Sequence, residues 1–198
     1  MTALLRLAAV LFSLLPATLA PAPAVSADTA SPAIFLVAKP ELVDPNFAQS
    51  VVLVVFPKDG GPVGVILNRP LKLTLKETFP SEPQLKNRGE HLYFGGPVRL
   101  NALMFLLRCS PAPANAFPVV DDLYLSGDGQ LLDQQLAKPN GKVQQYFLGY
   151  SGWAPSQLES EIAEGAWYVV PADSDTVLKA DPSTLWRNLL LRATAIKA

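Results

Sequence analysis

Val51-Val-Leu-Val-Val-Phe-Pro-Lys-Asp-Gly-Gly-Pro-Val-Gly-Val-Ile-Leu67 is the stretch that decides the architecture. Its first six residues form a continuous, mostly β-branched run, the pattern of a strand buried on both faces. Lys58-Asp-Gly-Gly-Pro62 is a turn, and Val63-Gly-Val-Ile-Leu67 is a second apolar strand. The two read as a hairpin at the centre of a sheet.

Outward from that hairpin, strands and helices alternate irregularly. Towards the N-terminus, Ile34–Ala38 is a strand and Asp44-Pro-Asn-Phe47 a turn, with proline fixing φ and Asp and Asn supplying local hydrogen bonds. Towards the C-terminus, Thr74–Phe79 is a short helix stopped by Pro80, and Ser81–Glu90 is a polar loop. Strands are predicted at Leu92–Phe94, Ala102–Leu107, Leu123–Leu125, Val143–Gly149 and Ala166–Val170, with an irregular connection over Ser110–Pro118. Helices are predicted over Asp128–Ala137, with Leu132 and Leu136 on one face, and over Pro155–Glu164. A last helix opens with Asp181 as N-cap and Pro182 at its first position, turning Leu185, Trp186, Leu189 and Ala193 inward. There is no strict βαβ rhythm and no internal repeat, so the fold class is α+β.

Bulk properties exclude several functions. The net charge is −1 over 198 residues, and the basic residues are scattered. No broad basic footprint for nucleic acid exists, so no nucleic-acid partner is expected. One cysteine and one histidine, Cys109 and His91, exclude an internal disulfide framework and any Cys/His zinc cluster. No metal and no cofactor is expected.

The N-terminus carries a second signal. Arg6, the apolar stretch Leu7–Leu15 and the small residues and prolines that follow have the layout of a secretory signal peptide. Val25-Ser26-Ala27 suits cleavage after Ala27, giving a leader over 1–27 and one domain over 28–198. The alternative is an uncleaved anchor. Against it, the apolar stretch is shorter than the roughly 20 residues a spanning helix needs, and Pro16 interrupts it. The expected location is periplasmic or secreted, with no membrane span after cleavage.

Candidate site residues cluster at loop junctions. Asp44 and Asn46 either line a pocket rim or cap the turn ahead of the buried strand. Asn68 and Arg69 suit bidentate recognition of a carboxylate or phosphate, or else pin two loops through an acid such as Asp44. Gly95 and Gly96 permit close backbone approach, at a pocket wall or a packing bend. Gly149-Tyr-Ser-Gly-Trp153 reads as a turn between strand and helix, with Ser151, Gly152 and Trp153 facing whatever lies above it. Gln157, in the first turn of the following helix, either binds a ligand or latches that turn. Ser156 and Glu159 have capping-box spacing, although Pro155 favours Ala154 as N-cap, and Glu159, Glu161 and Glu164 are expected on the solvated face. Ser151 fails as a nucleophile: Trp153 stands where the elbow pattern needs glycine, and His91 is the only imidazole. No catalytic residue is assigned.

Together, Phe35–Ala38 with Asp44–Phe47, Ser50–Leu53, Gly64–Pro70, Tyr93–Val98 and Leu148–Trp153 resemble, in the same order, the motifs of the YqgE/AlgH family. Gln157-Leu158, Glu161-Ile162, Ala166-Trp167 and Leu185-Trp186 extend the resemblance over nearly all of residues 34–190. It implies an α+β fold with a mixed, bifurcated β-sheet curled into a pseudo-barrel with flanking helices. Lys39 and Arg108-Cys109 depart from the family pattern, and the leader departs from its usual cytoplasmic members. The family is often labelled a putative transcriptional regulator, a label that no DNA-binding motif here supports. The leading expectation is a non-enzymatic, exported binding or regulatory module for a small anionic ligand or a peptide. The alternatives are a hydrolase or transferase using Ser151 or an Asp44/Arg69 site, and the regulator of the family label.

Overall fold

A computed structural model describes residues 33–138 and 141–195. The predicted leader and its cut after Ala27 lie outside the described residues. Fifteen elements follow in order: β1 Ala33–Ala38, β2 Val51–Val55, β3 Val63–Ile66, β4 Pro70–Thr74, α1 Leu75–Thr78, β5 His91–Phe94, β6 Val98–Arg108, β7 Phe117–Val120, β8 Leu123–Ser126, α2 Gly129–Leu136, β9 Val143–Gly152, α3 Gln157–Ala163, β10 Trp167–Pro171, α4 Ser174–Lys179 and α5 Pro182–Ala195.

The hairpin read from the sequence forms as β2 and β3, pairing Val52 with Ile66 and Val55 with Val63. It sits inside a ten-stranded sheet whose main path runs β10-β1-β2-β3-β9-β6-β8-β7, with β5 branching off at β9 and β4 paired beyond it. Every residue of β2 is buried, as its unbroken apolar run requires. The sheet is antiparallel except where β5 runs parallel to β9.

One apolar cluster explains the curl. Phe35 and Val37 of β1, Val170 of β10, Leu106 of β6, Val119 of β7 and Leu123 of β8 all belong to it. Strands from both ends of the sheet order therefore meet across a concave face, which α4 and α5 close with Val177, Leu185 and Leu189. The outer face is covered in two parts. α3 and the loop after β1 shield Leu36, Val52, Ile66, Trp153 and Trp167. α1, α2 and Leu85 shield Leu92, Phe105, Leu107 and Tyr146. The result is an α+β half-barrel with flanking helices.

Several elements differ from the sequence reading. β4 and α4 were not foreseen, and β7 occupies part of the expected irregular connection despite Pro118. β6 begins at Val98 rather than Ala102. The largest correction concerns Gly149–Gly152, which is the end of β9 and not a turn. Val63 pairs with Gly152, Gly64 with Ser151, and Val98 with Tyr150, so this backbone belongs to the sheet ladder. Gly149 still bends the strand, with φ 67°. Opposite it, β6 bulges between Val98 and Leu103, whose partners Tyr150 and Leu148 flank Gly149. α3 starts only at Gln157, after Ser156 at φ 64°, and no Ser156 side-chain cap forms. Asp181 caps α5 as expected, its carboxylate accepting from Ser183 N at 2.8 Å. No helix of the described residues is long and apolar enough to cross a membrane.

Candidate functional site

The sheet forks at Gly95. One edge of β9 faces β6, and the other is shared by β5, at Leu92–Phe94, and β3, at Val63–Gly64. Gly95 holds the fork together. Its N–H donates to Leu148 O at 2.8 Å, and its carbonyl accepts from Ile66 N at 3.0 Å and from Ser151 Oγ at 3.2 Å. A Cβ on Gly95 would fall on the carbonyl oxygen of Gly149, and one on Gly96 would strike Ser151 Oγ. These glycines are therefore demanded by backbone-on-backbone packing. Ser151 is 1% exposed and its hydroxyl is bonded to a carbonyl rather than an imidazole.

Asp44, Asn46, Asn68 and Arg69 converge on a second junction. Asp44 Oδ1 accepts from Asn46 N at 2.7 Å, closing the turn on itself. Asn68 bridges the strands: its Oδ1 accepts from Val51 N and its Nδ2 donates to Gln49 O, both at 2.9 Å. Arg69 donates from Nη1 to Pro45 O and from Nη2 to Ala48 O, both at 3.0 Å, and lies 6.0 Å from the centre of the Phe94 ring. The guanidinium thus pins the loop through carbonyls, not through a carboxylate. Burial lowers its pKa from the ordinary arginine value, while the charge of nearby Asp44 works the other way.

Trp153 and Gln157 belong to a third arrangement, centred on a residue expected to be solvated. Glu161 Oε2 accepts from both Trp153 Nε1 and Trp167 Nε1 at 3.0 Å, and Oε1 accepts from Gln157 Nε2 at 2.9 Å. Gln157 Oε1 accepts from Ala154 N at 3.0 Å, so Gln157 latches the chain entering α3. Phe47 meets Trp167 edge-on, with centroids 5.6 Å apart, which joins the Arg69-pinned loop to the indole pair.

A further opening lies elsewhere. A cleft of about 390 Å³ runs between the first residues of β5 and β9 and the α4–α5 corner. Leu67, Tyr93, Val177 and Leu185 give it an apolar floor, and His91, Gln144, Gln145 and Thr176 contribute polar groups. This volume falls within the roughly 300–1,000 Å³ typical of ligand sites. Glu90 at its mouth is paired with Arg88 at 2.8 Å. None of the ten residues selected from the sequence lines it.

The family described as DUF179, AlgH-like, matches residues 35–196. The chain belongs to the AlgH-like family. A UPF0301 protein of Myxococcus xanthus is 39% identical over 158 residues, 78% of this chain and 86% of the relative. A UPF0301 protein of Chlamydia felis is 34% identical over 155 residues, 78% of this chain and 82% of the relative. The solution structure of AlgH from Pseudomonas aeruginosa superposes with TM-score 0.65 at 29% identity, covering 85% of this chain and 90% of that one. A Corynebacterium diphtheriae protein shares the fold, with TM-score 0.65 at 24% identity over 82% and 86% of the two chains.

In this AlgH-like chain the family motifs thus coincide with the places where loops and strands are fastened. No motif marks the cleft, because its lining is drawn from β5, β9, α4, α5 and the residues Leu67, Glu90 and Ala180 that lie between elements. The nearest hint was Pro182 directly after the Asp181 cap, which marks the corner where the cleft's wall turns.

Proposed function

We propose that this AlgH-like chain is a non-enzymatic binding module, exported from the cytoplasm, that takes a small ligand or a peptide into the cleft under α4 and α5. The observation that carries this reading is the cleft itself, which joins an apolar floor to a rim of convergent amide, hydroxyl and imidazole groups. The hydrolase alternative gains no support from Ser151, whose hydroxyl is buried and spent inside the sheet. Export rests on the leader read from the sequence.

A second reading keeps an anionic ligand at Arg69, beside Asp44 and Asn68. Arg69 is half-buried, and among the described residues it makes no ion pair within 4 Å. A carboxylate or phosphate would supply that counter-charge.

Thermal-shift screening of residues 28–198 against carboxylates, phosphates and short peptides separates these readings. Stabilisation abolished by Ala180→Trp, which fills the cleft, supports the first, and stabilisation abolished by Arg69→Lys supports the second. No stabilisation by any compound sinks the binding module. Fractionation with N-terminal sequencing tests export, and an intact Met1 terminus in the cytoplasm refutes it.

A further inference from the structure

We infer that the cleft is a docking groove for an extended peptide, which adds as a short strand to the open edge of β9 at Val143–Gln145. The inference rests on the binding-module reading and names its ligand class.

Four consecutive residues, Val143, Gln144, Gln145 and Tyr146, line the cleft. Successive side chains of a strand point to opposite faces, so one face cannot present four in a row. The cleft must reach the strand's edge. The pairing pattern says the same. β5 joins β9 only from Leu92↔Tyr146 onward. Before that point its chain is drawn towards β4 and α1, with Leu75 N donating to Glu90 O and Lys76 N to Arg88 O, both at 3.0 Å. Val143–Gln145 therefore has β6 on one side, through Leu106↔Gln145 and Leu107↔Val143, and among the described residues no strand on the other. Gln144 falls at the register shift between those two pairs, and its side chain is tied back to Lys142 O at 2.9 Å.

A peptide continuing the line of β5 would meet three β9 residues, about 10 Å of backbone, and main-chain pairing would supply its affinity. Alternate side chains would fall onto Leu67, Val177 and Leu185. Apart from tyrosines, the ionisable side chains lining the groove are His91 and Glu90, the latter already paired with Arg88, so it suits an apolar residue flanked by neutral ones rather than a highly charged strand.

The test uses residues 28–198 and a randomised heptapeptide display library, followed by synthesis of the enriched peptide in two forms, N-methylated at alternate amides in either phase. Expected are alternating apolar residues in the enriched peptides, slowed amide exchange at Gln144, loss of binding in Ala180→Trp, and about tenfold or greater weakening by one methylation phase only. A library that enriches nothing overturns the inference. So does a binder indifferent to both methylation phases, or one that protects amides elsewhere. If small compounds still stabilise the domain in an Ala180→Trp-sensitive way, the inference falls while the binding-module reading stands. If they also fail, both fall.

Discussion

Replacing Glu161 tests whether the double indole latch organises the outer face. One carboxylate oxygen accepts from two indole N–H groups, at 3.0 Å each, and the donors belong to tryptophans only 7% and 4% exposed. Glu161→Ala leaves both N–H groups without an acceptor in a largely dry setting. Each such orphan costs about 1–3 kcal/mol, so the pair predicts a loss of about 3 kcal/mol or more. For a domain of this size, that lowers Tm by roughly 6–12 °C. Glu161→Gln keeps an acceptor oxygen but removes its charge, and should cost only about 1 kcal/mol. Urea denaturation followed by far-UV circular dichroism measures both without relying on the altered tryptophans. Trp167→Phe supplies the cycle: in its background Glu161→Ala strands one indole instead of two, so the penalty should shrink by about 1–2 kcal/mol. An Ala variant within about 0.5 kcal/mol of the wild type, or a cycle without coupling, would refute the reasoning.

Arg69→Lys loses the fork that spans Pro45 O and Ala48 O, since an ammonium cannot reproduce two fixed donors. Hydrogen exchange should accelerate across residues 45–49 while β2 amides stay protected, and unchanged exchange in that loop would count against the latch. Asp173 gives a pH signature. Burial pushes its carboxyl up, but bonds from Arg192 and from Thr176 outweigh that and hold it below the ordinary aspartate range. Its contribution is therefore fully present above the unfolded aspartate value, near pH 4, and is lost as pH falls through the depressed folded value. Because the pair is partly exposed, the effect should be under about 1 kcal/mol. Asp173→Asn should lower stability at pH 7 and flatten the acid limb below about pH 4, read as urea midpoint against pH; an unchanged limb contradicts the assignment.

The elements that read clearly in the sequence are those whose local chemistry agrees with their tertiary setting. β2 and β3 are buried on both sides and are apolar without a break, and α5 carries Asp181 and Pro182 at its start. β4 was hidden because Pro70-Leu-Lys-Leu-Thr74 is mostly exposed, pairs only with β5, and so has no buried face to impose alternation. β7 was masked by Pro118 and its proline-rich approach. Gly149–Gly152 misled for a physical reason: two glycines and a serine are turn chemistry, yet here Gly149 and Ser151 pack closely on Gly95 and Gly96 across the fork, and Gly152 pairs with Val63. Glu161 looked solvated because its charge is visible in sequence, whereas the convergence of two indole donors on it is not. The cleft was the least legible feature, since it exists only once β5, β9, α4, α5 and the residue that follows β3 are assembled.

The pairing of β1 with β10 bears on how this chain is made. β1 is the first described strand, and its outer neighbour is completed only at Pro171, while Trp186 Nε1 bonds Ala38 O at 2.8 Å across 148 positions of sequence. During synthesis the outer edge of β1 stays bare until the last quarter of the chain has appeared. Contacts so distant in sequence form slowly, because a long loop must close before they contribute anything. An unfinished chain thus remains open along this flank of the sheet, which locks only when the C-terminal elements arrive.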